Sequence, residues 1–189
     1  GLPGEPYLLF VGAMEPRKNL PRLLEAYALL CHGRPAPPAL VIATSRGWGT
    51  GSLRAMLEKH PHRRRIHLLE DATDALLAEA YRGCACCVFP SLDEGFGLPV
   101  LEAMHEGAPV VCSRAGALPE VGGDAAGYCE PESPASIAGA IARVIDEKAL
   151  SAFMRAAGRE RAKNFRWERS AAAHREVIEH VRGECRVRA

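Results

Sequence analysis

The 189-residue sequence lacks the features that mark nucleic-acid-binding, membrane-spanning or secreted proteins. Its 24 Lys and Arg are balanced by 23 Asp and Glu, so no net field attracts polyanions and nucleic acid is not an expected partner. No apolar run reaches the roughly 18 residues that a membrane-spanning helix needs. The first residues contain no basic stretch followed by an apolar core, so no secretory signal is visible, and the missing initiator Met suggests a fragment.

Cysteine occurs seven times, an odd number, without the regular pairing of a secreted disulfide scaffold. Three cysteines cluster in Cys84-Ala85-Cys86-Cys87, which leads directly into an apolar pair. No second cysteine pair follows, so we interpret the cluster as buried thiols, which behave as small apolar side chains, rather than as metal ligands. We therefore expect no metal site and a reducing cytoplasm as the compartment.

Short apolar runs alternate with helical patterns along the whole chain. Because the strands are continuously apolar, the pattern predicts an α/β fold in which helices cover both faces of a parallel sheet. We predict six strands, at residues 7–11, 39–43, 66–69, 86–89, 109–112 and near 127–129. Ligands of such sheets bind beyond the carboxyl ends of the strands, so functional residues are expected in the loops that follow them.

The helices are predicted from apolar spacing and from polar residues at their starts. Asn19 and Asp74 are expected to cap the helices that follow them. Three further helices are predicted to close the chain. The apolar positions of the last helix are expected to face inward; they are Trp167, Ala171, His174, Ile178 and Val181.

The loop after the first strand carries two adjacent cations. Gly12 lets a ligand approach the backbone, and Arg17 and Lys18 follow at the ligand edge of the sheet. A guanidinium and an ammonium together can hold a diphosphate without a metal ion. Cations at a helix start oppose the helix dipole, so we expect an anion to compensate them, with a solvated surface pair as the alternative.

The loop after the fourth strand joins a glycine-rich turn to a helix start. Gly95 and Gly97 leave room for a ligand, and Pro99 suits the first helical position, where no N–H is needed. An open first turn binds anions through its free N–H groups. The groups expected there are the N–H groups of Gly97, Leu98, Val100 and Leu101.

Two carboxylates flank this expected anion site: Glu94 lies in the loop and Glu102 lies eight residues later, on the helix. Both would repel a phosphate, so they suit hydroxyl groups on either side of a diphosphate, one set on a sugar and one on a ribose. Taken alone, each would be an ordinary exposed acid.

Four segments closely resemble the family-four retaining glycosyltransferases, also called group 1. The segments are residues 12–20 (GAMEPRKNL), 89–91 (FPS), 94–103 (EGFGLPVLEA) and 118–121 (LPEV). They cover nearly the whole chain in order, and the glutamate pair around Gly-Phe-Gly-Leu-Pro is the most specific of them. The resemblance implies that residues 1–165 form a Rossmann-like, donor-binding domain, the carboxy-terminal half of a two-domain GT-B enzyme. Residues 166–189 would be a helix that crosses back toward the absent amino-terminal acceptor domain, so some of its apolar surface is expected to be exposed.

The resemblance also implies the roles of individual residues. Lys18 and Arg17 would hold the donor diphosphate, and Glu94 would accept hydrogen bonds from the donor sugar; these three are the expected catalytic residues. Glu102 would bind the ribose, and the loop at Asp71 would hold the nucleobase. The residues expected to bind the donor are Gly12, Arg46, Asp71, Gly95, Phe96, Gly97, Leu98 and Glu102.

The sequence departs from the family pattern at two loops. Ala13 stands where many members carry Arg, so one phosphate contact could be missing. The second loop reads Thr-Ser-Arg-Gly-Trp at residues 44–48, where members often have Gly-Lys-Arg-Gly-Trp, and Arg46 is expected to substitute.

The implied reaction moves a hexose from a UDP- or GDP-sugar to an acceptor hydroxyl, with retention of anomeric configuration and without metal or cofactor. Positive charges at the first loop and the helix start would stabilise the departing diphosphate. The isolated fragment is expected to bind nucleotide weakly and to transfer nothing. The arginines of the last helix could contact anionic lipid at the inner face of the membrane, although a solvated face is the interpretation that we favour.

Two other functions remain open at this point. One is a non-catalytic subunit that binds nucleotide sugars, and the other is a sugar-nucleotide epimerase on the same two-domain fold. A nicotinamide dehydrogenase is disfavoured, because no Gly-x-Gly-x-x-Gly follows the first strand.

Overall fold

The computed structural model describes residues 1–45 and 50–187, and within them a six-stranded parallel sheet forms the centre of the molecule. The strands are β1 Tyr7–Val11, β2 Ala39–Thr44, β3 Ile66–Glu70, β4 Cys86–Phe89, β5 Val110–Ser113 and β6 Ala126–Cys129. Their order in the sheet is β3-β2-β1-β4-β5-β6, and each neighbouring pair is parallel. The predicted Rossmann-like α/β fold is therefore confirmed, with strand limits within one residue of those predicted.

Eight α-helices connect and flank these strands in the described part of the chain. They are α1 Leu20–Cys31, α2 Thr50–Glu58, α3 Asp74–Gly83, α4 Leu98–His105, α5 Leu118–Gly122, α6 Pro134–Asp146, α7 Lys148–Ala162 and α8 Trp167–Val187. Within the described ranges, no helix combines the length and the apolar composition that crossing a bilayer requires.

The apolar core lies on both faces of the sheet. Leu8 and Phe10 of β1 point toward α1 and α6, whereas Leu9 between them points toward α3, α4 and α5. Both sets of side chains are fully buried, which explains why β1 is apolar at every position rather than at alternate ones.

The cysteine cluster is buried within this core. Cys84, Cys86 and Cys87 are 0% exposed free thiols, so the interpretation as small apolar side chains is confirmed. Burial raises the pKa of Cys86 and Cys87 well above the ordinary value, which keeps these thiols protonated and unreactive.

Two predicted helix caps are wrong. Thr73, not Asp74, caps α3, since its hydroxyl accepts a hydrogen bond from the Leu76 N–H at 3.3 Å. Asn19 occupies the position before α1 but makes no capping bond, because its backbone is left-handed (φ 60°) and its amide points to other loops.

The expectation that the last helix faces inward is also wrong. Every side chain of α8 described by the structure, residues 167–182, is exposed, and Trp167 reaches 83% exposure. The spacing of its apolar residues correctly indicates a helix with an apolar face. The spacing does not indicate what covers that face. No element in the described part of the chain covers it.

Candidate functional site

The sheet order reverses between β1 and β4, and the loops that follow these neighbouring strands form the centre of the candidate site. At such a reversal, connections leave the sheet in opposite directions and a crevice opens beyond the carboxyl ends of the strands. The Leu92 N–H donates to the Arg17 carbonyl at 2.7 Å, which joins the two loops side by side. The topology therefore brings together the two loops singled out from the sequence.

Three of the predicted site residues form one charged cluster in this crevice. The Lys18 Nζ lies 2.5 Å from Glu94 Oε2, and Arg17 donates through Nη1 to Glu94 Oε1 at 3.1 Å. Arg17 also donates through Nε to Glu15 at 2.7 Å. The side chains of Lys18 and Glu94 are only 10% and 12% exposed, so water screens their attraction far less than it screens a surface ion pair.

Arg17 is the more exposed of the two cations, at 44% of its side chain. Slight burial acts to lower its pKa, but the hydrogen bond and negative charge of Glu94, followed by those of Glu15, raise it above its ordinary value. Arg17 therefore carries its charge throughout the physiological pH range and lies at the mouth of the crevice, where it can meet an anion.

Gly12 lies against the side chain of Lys18. A methyl group built on Gly12 would lie in ordinary van der Waals contact with the Lys18 chain carbons, at 3.6 Å. Gly12 also lines a cavity of about 220 Å³ together with Asp71 and Leu77. Two predicted donor-binding residues, Gly12 and Asp71, thus share one cavity.

Asn19 braces the loops of the site, a role that the sequence analysis did not assign. Its side-chain amide donates to the Pro90 carbonyl at 2.9 Å and to the Pro131 carbonyl at 2.7 Å, and the residue is 2% exposed. Among residues other than glycine, Asn tolerates a left-handed backbone best. In the sequence, the position of Asn19 directly after two cations indicates that it belongs to the site. Its bonding partners, Pro90 and Pro131, are distant in sequence and are identified only by the fold.

The loop that carries Glu94 is held from a second side by residues after β5. The Ser113 hydroxyl donates to the Ser91 carbonyl at 2.6 Å, and the Ala117 N–H donates to the Glu94 carbonyl at 3.0 Å. Gly116 has a left-handed backbone (φ 52°), and any Cβ there would collide with the Glu94 carbonyl oxygen. Sequence reasoning missed Ser113 and Gly116, because their partners lie more than 20 residues away.

The start of α4 is more closed than predicted. The N–H groups of Val100 and Leu101 both donate to the Gly97 carbonyl, at 2.9 and 3.2 Å, so they are not available to a ligand. Pro99 is the second helical residue rather than the first. Within the described chain, the N–H groups of Gly97 and Leu98 form no hydrogen bond, so two donors rather than four remain for an anion.

Glycine is required at position 97. Its backbone is left-handed (φ 91°), and an added Cβ would lie 2.7 Å from Leu118 Cδ2. Gly95 and Phe96 precede it in an exposed loop. The ring of Phe96 packs edge-to-face on the ring of Phe165, with the ring centroids 6.1 Å apart. The backbone of this turn, rather than the Phe96 ring, is therefore the part that borders the charged cluster.

Glu102 lies on α4 at one side of the crevice. The buried Tyr81 hydroxyl donates to Glu102 Oε2 at 2.9 Å. Burial, the neighbouring Cys87 thiol and Glu102 together raise the pKa of Tyr81 far above its ordinary value, so the hydroxyl remains a donor. Both residues line a cavity of about 570 Å³ that also includes Leu77 and Leu98.

Leu77 lines both cavities, so the Glu102 cavity and the cavity at Gly12 and Asp71 are neighbours. The predicted donor-binding residues Gly12, Asp71, Leu98 and Glu102 thus line two neighbouring cavities. Arg46 lies outside the described residues, as does Trp48. Across residues 1–45 and 50–187, no three His, Cys, Asp or Glu side chains gather as metal ligands.

Comparison with known proteins gives a consistent family. A family model described as "Glycosyl transferases group 1" matches residues 2–161. O-antigen chain mannosyltransferase B of Escherichia coli is 38% identical over 162 residues, which cover 86% of this chain and 42% of that protein. D-inositol 3-phosphate glycosyltransferase of Streptomyces scabiei (strain 87.22) is 33% identical over 187 residues, which cover 94% of this chain and 42% of that protein.

Solved structures give the same picture. Sucrose-phosphate synthase from Thermosynechococcus elongatus is 27% identical with a TM-score of 0.81, over 97% of this chain and 47% of that one. The alpha,alpha-trehalose 6-phosphate synthase from Burkholderia multivorans has the same TM-score at 16% identity, and the match covers 97% of this chain and 44% of that one. At this identity the similarity supports the fold alone. The chain spans less than half the length of each of these proteins.

Proposed function

The chain belongs to the group 1 glycosyltransferases, and on that premise we propose that it is the donor-binding domain of a retaining, metal-independent hexosyltransferase. The donor would be a nucleoside diphosphate sugar whose diphosphate lies between Lys18 and Arg17 on one side and the start of α4 on the other. The contact that carries this proposal is the 2.5 Å approach of Lys18 to Glu94 where the sheet order reverses.

Glu94 forms ion pairs with both cations. We infer that a donor diphosphate takes over Lys18 and Arg17, which frees the Glu94 carboxylate to accept hydrogen bonds from the sugar. The exchange replaces one anion by another, so neither cation is left unpaired in a poorly solvated crevice.

The proposed chemistry breaks the bond between the anomeric carbon and the diphosphate oxygen. Negative charge grows on that oxygen, where the cations and the N–H groups of Gly97 and Leu98 are already in place to stabilise it. The acceptor oxygen forms a new bond to the anomeric carbon on the same face, and its proton passes to the leaving phosphate. Since fixed positive charges neutralise the diphosphate, this scheme requires no metal ion.

The sugar and the second domain are inferred from the relatives. The E. coli relative is a mannosyltransferase, so mannose is the hexose that we propose for this chain. Because the match covers 42% of that protein, we propose that an amino-terminal domain supplies the acceptor site. We place the enzyme in the cytoplasm, where reducing conditions keep its buried cysteines as thiols.

Calorimetric titration of this chain with UDP, GDP and ADP, in the presence of EDTA, tests the proposal. We expect one of the three to bind, and its affinity to fall in the Lys18→Ala variant but not in the Lys163→Ala variant. Lys163 forms an exposed pair with Glu160 and serves as the matched control. If none of the three nucleotides binds, the donor-binding function is wrong.

A further inference from the structure

We propose that Tyr81 is a positioning residue for Glu102: it holds one carboxylate oxygen so that the other can accept hydrogen bonds from the ribose of the donor. The inference rests on the proposed function and extends it to a residue that no comparison assigns. The hydrogen bond from the Tyr81 hydroxyl to Glu102 Oε2, at 2.9 Å, carries it.

The two residues differ sharply in their surroundings. Tyr81 belongs to the core on one face of the sheet and is 2% exposed, whereas Glu102 is exposed on α4. An exposed Glu side chain normally samples several rotamers, and ordering it costs free energy when a ligand binds. Because a rigid, buried phenol already holds Oε2, less of that ordering remains for the binding step.

The hydroxyl of Tyr81 has no packing role that Phe could not fill. It points out of the core toward Glu102, and Glu102 is the partner that keeps it from being a buried, unpaired donor. Within the described chain, Tyr81 is the one side chain that hydrogen-bonds to the Glu102 carboxylate, so Oε1 is available to a ligand.

The position of the pair fits a ribose. Tyr81 and Glu102 line a cavity that shares Leu77 with the neighbouring cavity at Gly12 and Asp71. A nucleotide with its diphosphate at Lys18 and its base near Asp71 would place its ribose between the two. Neighbouring 2′ and 3′ hydroxyls are a pair of donors that a single carboxylate oxygen can accept.

Calorimetric titration with GDP and UDP, and with their 2′,3′-dideoxy counterparts, tests the inference on the whole chain. The wild type should prefer the ribonucleotide that binds over its dideoxy form, and Glu102→Ala should abolish that preference. Tyr81→Phe should weaken ribonucleotide binding by about tenfold, in keeping with one hydrogen bond to a charged group, and leave dideoxynucleotide binding unchanged. Adding Tyr81→Phe to Glu102→Ala should have no further effect.

Tyr27→Phe is the matched control, since the buried Tyr27 hydroxyl donates to the Pro38 carbonyl at 2.8 Å, between α1 and β2. Tyr27→Phe should change neither the ribonucleotide affinity nor the dideoxynucleotide affinity. Should Tyr81→Phe fail to fold, 3-fluorotyrosine at position 81 retains the ring and its hydroxyl but alters the strength of that donor, and it should change the ribonucleotide affinity alone.

The possible outcomes distinguish failure of the positioning role of Tyr81 from failure of the proposed donor-binding function. Equal weakening of ribo- and dideoxynucleotides by Tyr81→Phe, or no weakening at all, overturns the positioning role while nucleotide binding stands. Absence of binding by every nucleoside diphosphate overturns the proposed function, and the positioning role with it.

Discussion

Lys18 and Glu94 show how single residues determine the chemistry of the crevice. Each is mostly buried, and each neutralises the other. Removing Lys18 would leave Glu94 with Arg17 alone, whose bond is longer and whose side chain is far more exposed. A change at Lys18 therefore alters both the charge that meets the leaving group and the freedom of the carboxylate opposite.

The Lys18→Ala substitution is expected to reduce kcat of the complete two-domain enzyme by about 10²-fold or more, as does the loss of a donor that stabilises a developing anion. Steady-state kinetics with the nucleotide sugar measure the change, with Lys163→Ala as the control. A Lys18→Ala enzyme with wild-type kinetics would remove Lys18 from catalysis.

His60 makes the stability of the protein depend on pH. Its Nε2 lies 2.9 Å from the Leu24 carbonyl and its Nδ1 accepts from the His62 N–H at 3.1 Å, while its ring stacks on Tyr27. The neutral ring with its proton on Nε2 satisfies both contacts, whereas a proton on Nδ1 would break the second. Burial, the main cause, lowers the pKa of His60 below its ordinary value.

The sign of the effect follows from that lowered pKa. The unfolded chain binds a proton at His60 near pH 6.5 more readily than the folded one does, so this contribution to stability is complete above pH 6.5 and is lost as pH falls. The free energy of unfolding, measured with urea at pH 7.5 and 5.5, should therefore fall more in the wild type than in His60→Gln. His174→Gln, at an exposed site on α8, should behave like the wild type, and equal losses in all three proteins would exclude His60.

At the scale of elements, the loops after three strands are joined by side-chain hydrogen bonds. Asn19 links the loop after β1 to the loops after β4 and β6, and Ser113 links the loop after β4 to the end of β5. A rigid support of this kind holds the cations and the carboxylate within the small distances that transition-state stabilisation requires.

Substitution of Asn19 by Ala should lower the free energy of unfolding by about 2 kcal/mol, since one buried carbonyl (Pro90) and one partly buried carbonyl (Pro131) lose their donor. Asn19→Gly loses the same bonds but tolerates the left-handed backbone, so it should be about 1 kcal/mol less destabilised than the Ala variant. Urea unfolding measures both. Equal stability of wild type and Asn19→Ala would show that the amide bonds contribute nothing.

Local patterns predict the elements themselves but not the bonds between them. The four central strands β2, β1, β4 and β5 follow from apolar runs, because burial on both faces leaves little room for polar residues. The edge strands β3 and β6 are only partly buried, and β3 includes His67. The caps were misassigned where two adjacent polar residues competed, as at Thr73 and Asp74. The prediction that the N–H groups of Val100 and Leu101 are free is wrong, because the Gly97 carbonyl accepts from both. The sequence does not specify this detail of the turn geometry.

At the scale of the whole molecule, the strand order determines where the site lies. Strand–helix alternation predicts a parallel sheet but is compatible with several orders, and the β3-β2-β1-β4-β5-β6 order is what places the Lys18 loop beside the Glu94 loop. The approach of these loops was therefore predictable from the family resemblance but not from periodicity alone. The exposure of apolar surface on α8 is expected from the family resemblance, which implies a helix that crosses toward a second domain. The apolar stripe by itself gives no information about its partner.

Truncation of the chain after Trp167 should leave the folded core intact. The described side chains of α8 are exposed, so removing them should change the free energy of unfolding by less than about 0.5 kcal/mol, a typical surface effect. Urea unfolding measures this, and size-exclusion chromatography should show less self-association than in the untruncated chain, which exposes Ile178 and Val181. A large loss of stability would mean that α8 packs on the domain in solution.

The most direct test of the central claim compares nucleoside diphosphate with nucleoside monophosphate binding, in the wild type and in Lys18→Ala, by calorimetry. If the crevice between β1 and β4 binds a diphosphate through its cations, the wild type should prefer the diphosphate by about tenfold or more, in keeping with a charge-assisted contact, and Lys18→Ala should lose most of that preference. An unchanged preference in Lys18→Ala would contradict the account, since the second phosphate would then be bound elsewhere.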